Sequence, residues 1–507
     1  MLSSLTIAEA HRRLAKKEVS ATELTQACLD RIGSVDKQLN AVVYLNADKA
    51  IAHAKEIDKK GDFSNPLSGI PYLAKDVYCE QGVPTTACSN ILRDPSSPAG
   101  SAEAGKTYTP PFDSTTTKRL KAAGAISLGK SNTDEFTMGA STETSCYGVT
   151  RCPWDTTRVA GGSSGGSAAG VSADECLFAL GTDTGGSIRQ PAGFCNCTGL
   201  RTTYGRTSRY GVMSMASSLD TIGPICKTVE DTAHVLKAIA GKDGMDATTS
   251  DMPVPDYPAL LKKDVKGLRV GIPKEYFIDG MDGGVEGAVL EAAKVLKSLG
   301  ATLVDISLPH TKYALATYYV LCPCEVSSNM ARYDGIRFGH TPLRPSGSAG
   351  QAMDLNEYYR NVRSTGFGSE VQRRIMIGTY ALSSGYYDAY YLKAQKVRTL
   401  ICQDFKEAFT KVDVVLSPVS PTPAFRVGAH ANDPVAMYLE DAFMDGAVMA
   451  GIPALSVQCG FSAPKGDTPA LPIGLQLMGP QWGEATLLSA AHAYQCATDW
   501  HTRKPAL

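Results

Sequence analysis

Residues 161–167 read GGSSGGS, and residues 181–189 read GTDTGGSIR, with an apolar stretch between them. The glycines allow the backbone to pass where side chains would clash. In the second loop the successive N–H groups of Thr184, Gly185 and Gly186 can converge on one point, an arrangement that suits an oxyanion. Either loop alone is typical of an ordinary glycine-rich turn, so the prediction rests on the pair.

Two serines and a lysine accompany these loops. Ser163 lies in the first loop, Ser187 lies in the second, and Lys75 ends the apolar segment GIPYLAK. A serine hydroxyl is a weak nucleophile until a neighbouring base takes its proton. Burial lowers the pKa of a lysine because it disfavours the charged form, so a buried lysine can be that base. Without the two serines, Lys75 is more typical of a surface lysine at a strand end.

Together these residues resemble the amidase signature family. In that family a lysine and two serines form the catalytic triad, and Lys75, Ser163 and Ser187 match those positions, including the spacing between the serines. The resemblance implies amide hydrolysis with Ser187 as nucleophile. Ser163, held by a cis peptide bond, would pass protons between Ser187 and Lys75. The implied fold is α/β, a single large mixed β-sheet surrounded by helices.

Two other motif matches predict different chemistry. Residues 124–131 fit the phosphate-loop pattern GxxxxGK[ST], but the apolar run at 125–128 stands where the loop should be and is typical of a strand. Residues 161–165 fit GxSxG, the nucleophile elbow of α/β-hydrolases, which requires a strand directly before it and an acid and a histidine downstream. Residues 156–160 make a poor buried strand, whereas several histidines do follow. We disfavour both alternatives, and the histidines keep the second one open.

Apolar runs alternate with helical segments from residue 70 onward, which predicts an α/β domain with a largely buried sheet. Residues 1–60 show helical periodicity instead. We therefore predict a helical N-terminal extension over 1–60, packed on an amidase catalytic domain over 61–507. The runs that predict strands are 69–74, 125–128, 176–180, 268–272, 412–416 and 455–457.

Composition limits the partners and the location of the protein. Lysine plus arginine total 50 and aspartate plus glutamate total 51, so the chain has no broad basic field for gripping nucleic acid. The 14 cysteines include no CxxC pair, and we predict no metal site. No apolar stretch is long enough for a membrane span, and the N-terminus lacks the features of a signal peptide. These observations predict a cytoplasmic protein without membrane attachment.

Further segments resemble one group within the family, the glutamine-hydrolysing subunits of amidotransferases that act on tRNA. The segments are 217–224, 331–337 and 373–391. By this resemblance Arg374 binds the carboxylate of free glutamine and Asp441 binds its ammonium group, and the charges suit that ligand. Arg374 is also typical of a solvated helix face, and Asp441 of a helix cap or a surface acid.

The same resemblance implies a heterotrimer. A B subunit binds tRNA and ATP with magnesium, a small C subunit joins the assembly, and the present chain carries no cofactor. Glutamine hydrolysis here supplies the ammonia that converts Glu-tRNA(Gln) to Gln-tRNA(Gln). Two alternatives remain: a stand-alone amidase for a free amide, and a non-catalytic scaffold that keeps the fold. The intact set of Lys75, Ser163 and Ser187 argues against the scaffold.

Overall fold

An eleven-stranded mixed β-sheet runs through the computed structural model, which describes residues 1–94, 107–339, 354–466 and 468–507. Helices pack against this sheet. The α/β fold with one large mixed sheet is therefore confirmed. The strands are β1 Val42–Leu45, β2 Pro71–Lys75, β3 Ile126–Ser131, β4 Arg151–Cys152, β5 Asp155–Val159, β6 Phe178–Asp183, β7 Thr198–Arg201, β8 Thr221–Cys226, β9 Arg269–Pro273, β10 Thr302–Ile306, β11 Val414–Pro418, β12 Ala454–Phe461 and β13 Pro472–Met478.

Helices connect and cover the strands. Within the described ranges, none of them combines the length and the hydrophobicity that a membrane span requires. The α-helices are α1 Ile7–Ala15, α2 Ala21–Leu39, α3 Ala47–Lys60, α4 Thr115–Ala122, α5 Gly165–Ser172, α6 Arg189–Phe194, α7 Val229–Ile239, α8 Gly283–Ser298, α9 Ala314–Asn329, α10 Leu355–Gly366, α11 Ser369–Leu382, α12 Lys393–Lys411, α13 Pro434–Leu439, α14 Asp445–Ala450 and α15 Glu484–Cys496.

The large sheet has the strand order β1-β3-β2-β6-β8-β7-β12-β13-β11-β9-β10. Strand β2 pairs in parallel with β3 and β6, whereas β6 and β8 are antiparallel. The six apolar runs correspond to β2, β3, β6, β9, β11 and β12. The apolar runs did not indicate β7, β8, β10 or β13. In β8, Gly223 and Pro224 interrupt the strand pattern.

Apolar side chains fill both faces of the sheet, since successive strand residues point to opposite sides. In β11, Val414 and Leu416 belong to one buried cluster and Val415 belongs to the other. Strands β2, β3 and β6 are buried along their whole length, as is usual for parallel strands covered on both faces. The end of such a strand can therefore place a polar side chain deep inside the protein.

Residues 1–60 form three α-helices and one strand. Helices α1 and α2 begin with capping boxes, formed by Thr6 with Glu9 and by Ser20 with Glu23. Strand β1 pairs antiparallel with β3 at the edge of the large sheet. The helical pattern of the segment did not indicate this strand, which is only 4 residues long. The division into an extension and a catalytic domain stays a prediction.

Candidate active site

Two neighbouring parallel strands bring the lysine and the second serine loop together. Strands β2 and β6 pair with Ala74 opposite Leu180. Because the carboxyl ends of parallel strands meet at one edge of a sheet, Lys75 at the end of β2 lies beside Thr182 near the end of β6. Helix α5 begins just after Ser163, which lies at the same edge.

The Lys75 side chain is completely buried and reaches the first serine loop. Its Nζ atom lies 2.6 Å from Ser163 Oγ, 2.9 Å from Ser164 Oγ and 3.0 Å from Thr182 Oγ1. Burial lowers the pKa of Lys75 to about 7, although nearby acids, Asp134 foremost, oppose the shift. A large share of Lys75 is therefore uncharged near neutral pH, and an uncharged amine can accept a proton.

The peptide bond between Gly162 and Ser163 is cis, as the resemblance implies. Side chains from other parts of the chain hold the backbone before it. The Gly162 N–H donates to Gln190 Oε1 at 2.9 Å, and Thr142 Oγ1 donates to the Gly161 carbonyl at 2.8 Å. The first serine loop is therefore held by contacts outside itself.

The Ser187 loop lies directly beside the first loop. The Ser164 N–H donates to the Ser187 carbonyl at 3.1 Å. Gly186 has a φ of +111°, in the region that favours glycine, and Met444 packs so closely against it that a Cβ would collide. Ser187 is only 7% exposed, so its hydroxyl lies in a nearly closed site.

The three amides that the sequence predicts for an oxyanion differ in their hydrogen bonding. The Gly186 N–H donates to Asp183 Oδ1 at 3.0 Å. Among the residues that the structure describes, the N–H groups of Thr184 and Gly185 have no hydrogen-bond acceptor, so both are available to an anion. The oxyanion role of all three residues stays a prediction.

Asp183 anchors the Ser187 loop, and the sequence did not single it out. Its Oδ1 atom accepts hydrogen bonds from Arg189 Nη2 at 2.9 Å and from Arg201 Nη1 at 3.0 Å, and all three side chains are fully buried. Burial alone would raise the pKa of Asp183, but the two guanidinium groups hold it below its usual value. Arg189 also donates to Gln476 Oε1 on β13. Arg201 and Gln476 have no local sequence signal that links them to the loop.

Asp134 supports the other side of the site and was also missed. Its carboxylate accepts a hydrogen bond from the Thr142 N–H at 2.8 Å and another from Thr144 Oγ1 at 2.9 Å. Burial raises the pKa of Asp134, and these hydrogen bonds oppose the rise. Asp134 thus fixes the segment whose Thr142 holds the first serine loop.

Arg374 is buried on α11 and does not form a solvated helix face. Its Nε atom lies 2.8 Å from Glu370 Oε1. The guanidinium group lies 5.3 Å from the ring centroid of Tyr319 and 5.7 Å from that of Tyr438. Such a buried, aromatic-flanked guanidinium is well suited to bind a carboxylate by forked hydrogen bonds.

A cavity of about 180 Å³ lies beside Arg374. Residues 139–141 also line this cavity, and Ala140 and Ser141 lie against Gly162, next to the cis peptide bond. The cavity is therefore bordered by Arg374 and by residues that contact the first serine loop. Asp441 is 7% exposed and within electrostatic range of Arg374. Burial raises the pKa of Asp441 well above its usual value, although Arg374 lowers it.

The two alternative motifs do not have the structural context that they require. Residues 124–131 form no phosphate loop, because Ile126–Ser131 is the buried strand β3 and Lys130 donates to the Tyr78 carbonyl. The strand before Ser163, β5, pairs with β4 in a separate two-stranded sheet. A nucleophile elbow instead follows a strand of the main sheet.

Comparison with known proteins gives a consistent result. A family model described as Amidase matches residues 23–488. The A subunit of glutamyl-tRNA(Gln) amidotransferase from Chloroflexus aggregans is 52% identical over 100% of this chain and 99% of the relative. The corresponding protein of Geobacter metallireducens, which has the same name, is 52% identical over 100% of both chains. The crystal structure of the Thermotoga maritima protein of that name matches with a TM-score of 0.77 and 38% identity, over 98% of this chain and 95% of the other.

Proposed function

The chain belongs to the amidase family, and we propose that it is the glutamine-hydrolysing component of a glutamyl-tRNA(Gln) amidotransferase, the role of the A subunit. The chain is 52% identical to such proteins over its full length, and this favours the proposed role over that of a stand-alone amidase. The structural observation that carries the proposal is the contact of a buried Lys75 with Ser163, beside the Ser187 loop. An intact set of this kind also disfavours a non-catalytic scaffold.

In the proposed mechanism Ser187 Oγ forms a bond with the side-chain amide carbon of glutamine. Its proton passes to Ser163 Oγ, whose own proton passes to uncharged Lys75. The backbone N–H groups before Ser187 stabilise the oxyanion. The carbon–nitrogen bond then breaks, the proton returns to the leaving nitrogen, and ammonia departs. Water hydrolyses the γ-glutamyl ester of Ser187 and releases glutamate.

Both charged groups of glutamine, the α-carboxylate and the α-ammonium group, are bound by the protein. Arg374 pairs with the α-carboxylate, and Asp441 accepts hydrogen bonds from the α-ammonium group. The ammonia is consumed by the partner subunits. We propose that a B subunit holds tRNA and ATP with magnesium, that a small C subunit completes a heterotrimer, and that the assembly works in the cytoplasm. The near-neutral charge of this chain agrees with tRNA contact mainly through a partner.

Glutamine hydrolysis should depend on pH through Lys75. Because burial lowers the pKa of Lys75 to about 7, we expect kcat/KM to fall as the pH drops through that value, where the amine becomes charged and loses its capacity as a base. Above it the rate should level off. The measurement is kcat/KM against pH, with circular dichroism over the same range as a control for unfolding. A flat profile across neutral pH would remove Lys75 from proton transfer.

Arg374→Ala should weaken the selection of glutamine. Loss of a charge-assisted pair to the α-carboxylate should lower kcat/KM for glutamine by roughly ten- to hundredfold, and spare an uncharged amide such as butyramide. The measurement is kcat/KM for both substrates.

The matched control for this variant is Arg373→Ala. Arg373 precedes Arg374 and pairs with the same Glu370, but it is far more exposed. It should therefore have the smaller effect. Equal losses on both substrates in Arg374→Ala would assign Arg374 to the support of α11.

The isolated chain should not amidate tRNA. Activation of a carboxylate on tRNA requires ATP, and residues 124–131 form no phosphate loop. We expect weak, ATP-independent glutamine hydrolysis from the chain alone. Addition of the B and C subunits, Glu-tRNA(Gln) and ATP should increase hydrolysis and yield Gln-tRNA(Gln).

The control for this experiment is Lys130→Ala in the assembled complex, with assembly checked first. Its ATP cleavage should equal that of the wild type, since the Lys130 side chain binds the Tyr78 carbonyl inside the core. ATP cleavage by the isolated chain that a folded Lys130→Ala variant loses would contradict both the proposed role and our interpretation of this motif.

A further inference from the structure

A second buried acid, Asp445, follows Asp441 at the edge of the proposed substrate site. Asp445 is 0% exposed, and neither of its carboxylate oxygens has a hydrogen-bond partner in the described part of the chain. A buried polar group without a partner is costly, because it loses its hydration and gains nothing in return. The proposed mechanism makes no use of this side chain.

The local backbone keeps the two acids close together in the chain. The Met444 N–H donates to the Asp441 carbonyl at 2.8 Å, and α14 begins at Asp445. A single hydrogen-bonded turn of chain therefore separates the two acids. Met444, between them, packs against Gly186 in the Ser187 loop. The turn that carries the two acids therefore borders the nucleophile loop.

Asp445 is also electrostatically coupled to the chamber that contains Arg374. A negative charge on Asp445 would raise the pKa values of Tyr318 and Tyr319, and Asp445 is also in electrostatic range of Asp441, Arg189, Asp183 and Arg201. Tyr319 lines the cavity together with Arg374, and Tyr318 lies against Gly185. Residues next to the Ser187 loop, Met444 and Tyr318, are therefore the chain neighbour of Asp445 and one of its electrostatic neighbours.

The two buried arginines in electrostatic range of Asp445, Arg189 and Arg201, donate to other groups, and the Nε atom of Arg201 has no acceptor in the described part of the chain. Arg189 donates to Asp183, to Gln476 and to the Met444 carbonyl. Arg374 is paired with Glu370. Among the residues that can be described, no ion pair includes Asp445. Burial raises the pKa of Asp445 well above its usual value, and its two carboxyl oxygens are available to a hydrogen-bond donor that enters the site from outside.

We propose that Asp445 forms the substrate's ammonium subsite together with Asp441, and so selects amides that carry a cationic α-amino group. This inference rests on the proposed function, because it extends the binding of glutamine at that site. Two acids give the three N–H bonds of an ammonium group more acceptors than Asp441 alone. Binding of the substrate's ammonium group would then give the Asp445 carboxyl group the partner that it lacks within the described part of the protein.

The test compares glutamine with glutaramate, which is glutamine without the α-amino group. We expect Asp445→Asn to raise KM for glutamine by roughly ten- to hundredfold with little change in kcat. KM for glutaramate should stay near the wild-type value, so the preference for glutamine should fall by the same factor. Asp441→Asn should behave alike. Asp231→Asn is the matched control, since Asp231 is fully buried on α7 and accepts a hydrogen bond from the Ala8 N–H.

Thermal unfolding separates ligand binding from structural support. Asp445→Asn breaks no hydrogen bond, so we expect its Tm to equal or exceed that of the wild type; Asp445→Ser serves if the first variant does not fold. The Tyr276 hydroxyl is also buried without a partner in the described ranges and interacts with Asp445. If Tyr276→Phe reproduces the effect of Asp445→Asn, Asp445 acts through Tyr276 and the inference is wrong.

The wild-type enzyme is assayed first. Absence of glutamine hydrolysis in the complete complex would overturn the proposed function itself. Normal hydrolysis by the wild type, with an unchanged ratio of glutamine to glutaramate use in a folded Asp445 variant, would overturn only the role of Asp445. A lowered Tm with unchanged KM would lead to the same rejection.

Discussion

Ser187→Ala should abolish the acyl-enzyme and lower glutamine hydrolysis by roughly 10⁴-fold or more, as is usual when the nucleophile of such a set is lost. The physical reason is that Ser187 follows the amides of Thr184 and Gly185, which have no acceptor in the described part of the chain, and its loop adjoins the loop of the serine that contacts Lys75. Initial rates of glutamate formation measure the loss. Binding of glutamine, measured by calorimetry, should persist because Arg374 and Asp441 are unchanged.

A covalent label locates the nucleophile independently of rates. A glutamine-like electrophile should modify Ser187, and peptide mass spectrometry should find the adduct in the wild type but not in Ser187→Ala. Ser163→Ala is the comparison, because it should be labelled slowly at Ser187. A stable adduct on Ser163, with none on Ser187, would favour the nucleophile-elbow interpretation instead.

Lys75→Ala and Ser163→Ala should each lower hydrolysis by roughly 10²–10⁴-fold without unfolding the chain, because a positioned proton acceptor contributes about that much. Lys75→Arg should fail as well, since arginine does not become a neutral base in proteins. Steady-state kcat is the measurement, with Tm as the check on folding.

Lys130→Met is the matched control for the lysine variants. Lys130 is equally buried, on the neighbouring parallel strand β3, but it binds a backbone carbonyl and lies outside the serine loops. It should retain activity if it folds. A near-wild-type rate in Lys75→Ala or Ser163→Ala would exclude that residue from the mechanism.

Local sequence patterns were sufficient to predict much of the fold and the central residues of the site. The apolar runs indicated β2 and β6, and two short loops indicated both serines. The relation of Lys75 to Ser163 came from family resemblance rather than from spacing. Two physical reasons account for this contact. Adjacent parallel strands end at the same edge of the sheet, and the buried end of β2 keeps water away from Lys75 and so lowers its pKa.

The supporting residues could not be predicted because their partners are distant in sequence. Asp183 belongs to a quoted motif, yet its role depends on Arg201 and on the contact of Arg189 with Gln476. Strand β8 was missed because its glycine and proline oppose strand formation, and tertiary pairing with β6 overrides that tendency. The sequence did not indicate Asp445, because the lack of a hydrogen-bond partner among the described residues is visible only in the structure.

Because Arg189 contacts Gln476, the Ser187 loop can be completed only after the last part of the chain has been synthesised. Ser163 and Ser187 emerge from the ribosome early, but β13, which carries Gln476, emerges near the end of the chain. Contacts so far apart in sequence form late, since a long loop must close first. A nascent chain therefore holds its nucleophile before the loop around it is finished. We therefore expect glutamine hydrolysis to begin only after β13 has joined the sheet.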